Sequence, residues 1–393
     1  MVTLTIGDPI PWFIIPSTSN PNYHFDTVGG YRTVLFFFGS TKAQNVRAIV
    51  QDFCNLQSQF AAVGVPFFGV SVDPADQELA DVIEEPTFCK FLWDFDRSVS
   101  QSFGVCQSTN PGETQYSPTA FVLDENLHVL QVFPVTQAEG YAEQVLHYVS
   151  NLPAVAPAVA AARQAPVLFI PRVLDPEFCQ SLIQLYERDG GRDSGFMREV
   201  DGKTVEILDH SFKKRRDLNL AEDPTMLNTL NQIMLRRIKP EIEKAFQFSI
   251  SRFERYIVSC YEATNQGFFN RHRDNTTKGT VHRRFAMTLN LNTGEYEGGC
   301  LRFPEYGTQL YRPEVGEAVI FSCSLLHEAT PVTQGRRFAL LSFFYNDEDA
   351  QIRTQNQKYL ATASSESSKP ATEKPKSVAK ATGFQPKSSR KRR

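Results

Sequence analysis

At 393 residues, with 41% hydrophobic and 22% charged side chains, the chain is long enough for two domains, each with its own core. No apolar run reaches the roughly 18 residues that cross a bilayer. The start, Met1–Thr5 and then Gly7-Asp8-Pro9, lacks the regions of a secretory leader, so a cytoplasmic location is expected. The net charge of −3 hides an asymmetry: from Gln351 onward eleven Lys/Arg stand against two Asp/Glu, leaving −12 on residues 1–350. An acidic body speaks against nucleic-acid binding by the folded part.

The first predicted strand, Thr33–Phe38, is β-branched and aromatic and ends at Gly39. Ala43–Val63 has helical spacing, and Phe67–Val72 is again strand-like. Thr119–Leu123 and His128–Phe133 flank the turn Asp124-Glu125-Asn126, and Ala138–Val149 reads as a closing helix. This alternation implies an α/β layer over residues 1–152 with a mixed sheet. The Pro/Ala/Val stretch 153–164 has neither periodicity and reads as a linker.

Residues 165–350 follow a different order. After the short strand Val167–Ile170, Asp175 is placed to cap a helix with Pro176 at its first position, running to about Asp189. A second helix covers Asp223–Phe246. Short strands follow at Arg255–Tyr261, Phe268–Asp274, Arg284–Leu291, Cys300–Phe303, Glu317–Ser322 and Phe338–Tyr345. Helices first and strands afterward suggest an α+β domain with helices on one face of a jelly-roll barrel. The remainder, 351–393, is a basic tail whose Ser/Lys/Thr/Ala/Pro composition predicts disorder.

His272-Arg273-Asp274 puts an imidazole and a carboxylate two positions apart, which on a strand places both on one face, inside the barrel. With His327 they form the two-imidazole, one-carboxylate set that suits iron(II) and leaves positions open. Arg337 opens the apolar strand Phe338-Ala339-Leu340-Leu341, where a guanidinium can grip a carboxylate at two points. Its neighbour Arg336 would face the opposite way. His272-Arg273-Asp274 also opens a kinase catalytic loop, but Gly279 stands where that loop needs Asn, and no Gly-rich phosphate loop precedes it.

Residues 166–345 resemble the prolyl 4-hydroxylase-like branch of the 2-oxoglutarate/Fe(II) dioxygenases. The likeness runs from Cys260-Tyr261 through Gly267-Phe268-Phe269-Asn270-Arg271-His272-Arg273-Asp274. It continues in Glu297-Gly298-Gly299-Cys300-Leu301-Arg302-Phe303, then Gly316-Glu317-Ala318-Val319-Ile320-Phe321 before His327, and Arg337-Phe338-Ala339-Leu340. The resemblance implies a double-stranded β-helix and iron(II) held by His272, Asp274 and His327. It also implies 2-oxoglutarate bound by Arg337 with Tyr261 beside it, and L-ascorbate as accessory reductant. The implied reaction couples decarboxylation of 2-oxoglutarate by dioxygen to hydroxylation of a C–H bond on a peptidyl or free amino acid. Asn290 stands where some relatives place a second co-substrate tyrosine.

Residues 1–152 resemble the redoxin (peroxiredoxin-like, thioredoxin-fold) family in Gly7-Asp8-Pro9-Ile10-Pro11, Val34-Leu35-Phe36-Phe37-Phe38, Gly69-Val70-Ser71-Val72-Asp73 and Ser117-Pro118-Thr119-Ala120-Phe121-Val122-Leu123-Asp124. That family attacks peroxide with a cysteine at a helix start. Here the stretch reads Gly39-Ser40-Thr41-Lys42-Ala43-Gln44-Asn45-Val46, without one. Pro118 stands near the family's arginine position and is expected as a cis-proline. A catalytically silent domain that docks or presents a protein substrate is expected, with a non-standard redox role for Cys54, Cys89 or Cys106 left open. The seven cysteines, an odd number without a C-x-x-C pair, suit reduced thiols. The alternatives are a thiol-dependent peroxidase with a regulatory barrel and a non-enzymatic, cupin-like metal scaffold. Lys213-Lys214-Arg215-Arg216-Asp217 reads as a solvated charge run rather than a substrate-facing loop, and His282 as a surface residue.

Overall fold

The computed structural model describes residues 3–83, 87–110 and 113–361. Of the predicted disordered tail, residues 351–361 are described and residues 362–393 lie outside the described residues. Residues 1–360 form one compact unit.

The N-terminal half is built on five strands. In chain order the main elements are β1 (Thr33–Gly39), α1 (Gln44–Asn55), α2 (Gln57–Ala62), β2 (Phe67–Ser71), β3 (Cys89–Trp93), β4 (Thr119–Leu123), β5 (Val129–Pro134) and α3 (Tyr141–Ser150). The sheet order is β3-β2-β1-β4-β5, with β1, β2 and β3 parallel and β4 and β5 antiparallel. β1 is buried along its whole length. Its even residues Val34, Phe36 and Phe38 enter the core under α1 and α3, and its odd residues Leu35 and Phe37 enter the opposite core. Such two-sided burial explains why β1 reads as a continuous apolar run. The single predicted helix Ala43–Val63 is broken at Leu56, where φ −96° and ψ 2° leave the helical region. No cis peptide occurs among the described residues, so the cis expectation at Pro118 is corrected to trans.

An exposed, irregular stretch from Pro153 to Gln164 leads to the second half. There β6 (Leu168–Ile170) precedes α4 (Pro176–Asp189), which Asp175 caps by accepting from the Phe178 amide at 2.7 Å. β7 (Lys213–Lys214) and β8 (Arg216–Asn219) come next. α5 (Pro224–Ile233) and α6 (Lys239–Phe246) are joined through a π-helical turn at Met234–Ile238, so the expected single helix is one rod with a wide turn. β9 (Ile257–Glu262), β10 (Phe268–His272), β11 (Phe285–Asn290), β12 (Leu301–Arg302), β13 (Ala318–Ser322), β14 (His327–Ala329) and β15 (Val332–Tyr345) complete the barrel. One sheet orders β6-β13-β11-β15-β9-β8, and the facing sheet orders β7-β10-β14-β12. The helices cover the outer face of the larger sheet, where Leu182, Leu230, Ile238 and Ile242 meet Val258, Met287, Ile320 and Leu340. α7 (Asp347–Asn356) continues the ordered chain past Gln351, capped by Asn346 and opened by Asp347, Glu348 and Asp349.

The halves meet through buried charge. Asp8, 1% exposed, accepts from Arg237 Nε at 2.9 Å and from Arg236, both on the π-turn. Arg237 also donates to the carbonyls of Val173 and Ile6, at 2.9 Å each. Gly7 permits this approach: at φ +89°, a Cβ there would stand 2.3 Å from the Arg172 carbonyl oxygen. His128 and Glu241, both buried, lie 3.1 Å apart across the same interface.

Candidate metal and co-substrate site

β10 and β14 are antiparallel and put His272 opposite His327, with an irregular register between Phe269 and His272. Asp274 lies just beyond the end of β10, and its amide donates to the Cys323 carbonyl at 3.0 Å. The shared-face argument from strand periodicity therefore does not place Asp274; the turn after β10 does. His272 Nε2 lies 3.5 Å from one Asp274 carboxylate oxygen and His327 Nε2 lies 3.5 Å from the other. One potential ligand atom from each of the three falls within 4.8 Å of the others.

The outer ring atoms fix the tautomers. His272 Nδ1 is 2.7 Å from the Asn270 carbonyl and His327 Nδ1 is 3.0 Å from the Leu325 carbonyl. Carbonyls only accept, so each Nδ1 carries the hydrogen and each Nε2 turns a lone pair toward the common point. Burial and the neighbouring His272 push the His327 imidazole down to about 4, which keeps it neutral at pH 7. Burial acts to raise the Asp274 carboxyl; positive charge on the facing imidazoles, when they are protonated, and on Arg283 acts the other way and holds it below its usual range. Phe269 stacks on His272 at 3.6 Å and Phe321 meets His327 edge-on at 4.7 Å, limiting both rings. Two neutral imidazole nitrogens and one carboxylate fit a divalent iron ion.

Arg337 lines the same cavity, about 140 Å³ in volume, and is 2% exposed. Its Nη2 donates to Asn290 Oδ1 at 3.0 Å, and Asn290 Nδ2 in turn donates to the Tyr296 hydroxyl at 2.7 Å. Thus Asn290 aims the guanidinium from the place where a tyrosine was the alternative. Gly299 makes room for it: a Cβ there, at φ +59°, would come within 2.9 Å of Arg337 Cδ. The Arg337 guanidinium sits 5.3 Å from the centre of the Tyr261 ring, whose hydroxyl accepts from Arg215 at 3.3 Å. Arg336 faces outward and pairs with Glu187 at 2.6 Å.

Two expectations are corrected here. Lys213 and Arg215 are not solvated: both line the cavity, Lys213 at 4% exposure. Their spacing with Asp217 was the missed signal, since residues 213, 215 and 217 share one face of an extended segment. His282 is 1% exposed, with Nε2 3.0 Å from Glu254, a partner 28 residues distant.

In the N-terminal half, burial raises the Cys54 thiol to about 11 and the Cys89 thiol to about 12, and raises that of Cys106. None of these supplies a thiolate at neutral pH. Peroxide consumption by the purified chain with a thiol donor is expected at the uncatalysed rate, and unchanged in Cys54→Ser. A catalysed rate lost on that substitution would reverse this assignment.

The profile of the 2OG-Fe(II) oxygenase superfamily matches residues 256–345, and that of the AhpC/TSA family matches residues 6–132. A PKHD-type hydroxylase of Shewanella sp. (strain ANA-3) is 30% identical over 173 residues, covering 41% of this chain and 71% of the relative. The chain belongs to the 2OG-Fe(II) oxygenase superfamily. Iron(II) and 2-oxoglutarate are the metal and co-substrate of this superfamily in general. A PKHD-type hydroxylase of Stutzerimonas stutzeri (strain A1501) is also 30% identical, over 36% of this chain, and the chain spans 66% of that relative's length. Among solved 2OG-Fe(II) oxygenase-like folds, a Pseudomonas putida prolyl-4-hydroxylase covers 46% of the chain and 92% of its own, at 18% identity and a TM-score of 0.35. No helix among the described residues is long and apolar enough to cross a membrane.

Proposed function

We propose that the protein is an iron(II)- and 2-oxoglutarate-dependent dioxygenase that hydroxylates a C–H bond of a peptidyl or free amino acid. The observation that carries this is the convergence of His272, Asp274 and His327 in one cavity with the buried Arg337. In this reading residues 165–350 form the catalytic domain, and residues 1–152, joined through 153–164, form a silent redoxin-fold domain that docks or presents the substrate. A cytoplasmic location, and L-ascorbate as accessory reductant, belong to the same proposal.

Iron(II) held by the three ligands supplies dioxygen activation coupled to decarboxylation of 2-oxoglutarate. The chain's own residues do the positioning. Arg337 takes the distal carboxylate at two points, with Asn290 fixing its plane and the Tyr261 ring beneath it. Phe269 and Phe321 hold the imidazoles, while Ala286, Leu341 and Phe343 line the cavity with apolar surface that limits water.

The test is release of carbon dioxide and succinate from labelled 2-oxoglutarate with iron(II), followed by a mass search for oxygen-added products in cell extract. Absence of both activities with iron loaded would refute the reading. Arg337→Gln is expected to raise the KM for 2-oxoglutarate on the order of 30-fold or more, since losing one side of a buried charge contact costs about 2–5 kcal/mol. Arg336→Gln, on the outer face, is expected to leave the KM unchanged.

A further inference from the structure

The cavity holds more positive charge than the co-substrate requires. Besides Arg337 it is lined by Lys213, Arg215, Arg255, Arg273 and Arg283. Most of these are already satisfied. Arg215 binds Asp217 at two points, 2.7 and 2.6 Å. Arg283 binds Glu254 the same way, at 2.7 and 2.6 Å. Arg273 reaches out to Glu305 at 2.7 Å. Lys213 donates to Ser194 Oγ and the Gly195 carbonyl, at 2.6 Å each. Burial and then the Arg215 charge push Lys213 down to about 6, so it is mostly uncharged at pH 7.

Arg255 is the exception. Among the described residues it makes no hydrogen bond or ion pair, and its Nε is buried without a partner. The two nearby carboxylates, Glu254 beside it and Asp217 across from it, are held by Arg283 and Arg215. Burial and the like charge of Arg283 act against its charge, and Glu254 and Asp217 offset them only in part, from beyond hydrogen-bond distance. A guanidinium whose buried Nε–H has no acceptor carries a desolvation cost that a ligand oxygen would remove. Ser342 Oγ, on the same cavity wall, is also buried without a partner.

Position separates this group from the co-substrate. Tyr261 pairs with Arg337 and Ile257 with Leu341, so Arg255 lies toward the opposite end of the β9–β15 ladder. Along the chain Arg255 lies six residues from Tyr261, the strand partner of Arg337, and two before Ile257. Arg255 stands on the metal cluster's side: it and Arg283 both lie over the Phe343 ring, at 5.9 and 4.0 Å, and Arg283 donates to the Asp274 carbonyl at 3.3 Å.

We propose that Arg255 receives a carboxylate of the primary substrate, so that this cavity selects carboxylate-bearing small molecules such as free amino acids. Arg255 is then a specificity-determining residue that directs the far end of the substrate toward His272, Asp274 and His327. This assignment rests on the oxygenase reading, because it names the substrate class of that same site.

The test uses the full chain loaded with Mn(II) and saturating 2-oxoglutarate. The standard L-amino acids, their C-terminal amides and end-blocked Asp and Glu peptides are titrated by calorimetry and thermal shift. At least one free acid is expected to bind saturably, with its amide weaker by about tenfold or more, which is about 1.4 kcal/mol. Arg255→Gln should abolish that binding while leaving 2-oxoglutarate affinity within about threefold, under 1 kcal/mol. The ligand-free Arg255→Met chain should unfold at the same or a higher temperature than wild type, because a guanidinium with an unsatisfied buried Nε–H is removed. Several results would overturn the proposal: no free acid binding to wild type, amides binding equally, blocked peptides alone binding, weakened 2-oxoglutarate in Arg255→Gln, or a lower unfolding temperature in Arg255→Met. If Mn(II) and 2-oxoglutarate themselves fail to bind, the oxygenase reading falls, and the acid titration on the metal-free chain still decides the role of Arg255.

Discussion

Replacing Asp274 by alanine is expected to abolish substrate-coupled 2-oxoglutarate turnover and to release the metal. The carboxylate oxygens lie 3.5 Å from the two imidazole Nε2 atoms, so its removal would leave only the two imidazoles to hold a metal ion. Loss of a group that merely orients a ligand costs roughly 10–100-fold in metal affinity, and loss of a ligand itself should exceed that. His327→Ala should behave alike, because its Nε2 is aimed by the Nδ1 contact with Leu325. Metal stoichiometry by elemental analysis checks the first expectation and labelled carbon dioxide release checks the second. Full metal content with full turnover in either variant would exclude these ligands.

Asp8→Ala is expected to produce the largest loss of stability. This carboxylate is 1% exposed and serves both Arg236 and Arg237, across the contact between the two halves. Removing one member of a buried pair costs about 3–5 kcal/mol, because the opposite charge remains without a counter-charge. Partial exposure of Arg236 lets water screen it and argues for the lower end of that range. Chemical denaturation would show the loss, and a second unfolding transition is expected as the halves uncouple. A single transition at the wild-type midpoint would contradict this.

Most strands of both halves were legible because one or both faces are buried, which writes apolar runs or alternation into the chain. The start of α4 was legible because Asp175 and Pro176 mark it, and the structure ends the helix at Asp189 with Gly190 as its left-handed cap. The π-turn at Met234–Ile238 left no such mark, because its residues fit a regular helix equally well. The ligand set could be read from residue types and order, yet Asp274 is placed by a turn rather than by strand alternation. The basic lining of the cavity escaped because Lys213 and Arg215 look like surface charge until Ser194, Gly195 and Asp217 cover them. His282 and Glu254 form a contact across 28 residues, which local pattern does not encode. The second half of α7, Gln351–Asn356, reads as tail because Gln, Arg, Thr and Asn fill it around a single Ile352, although Asn346 and three acidic residues announce the helix start.

The exposed tether between the halves and the salt-linked seam at Asp8 have a consequence for how this protein comes apart. A protease that nicks the peptide between Val155 and Gln164 should cut readily, yet the two fragments should still travel together through a sizing column. They would part only when high salt loosens the aspartate–arginine clasp. Connection by sequence and cohesion by contact are thus separate properties in this molecule, and the second does not need the first.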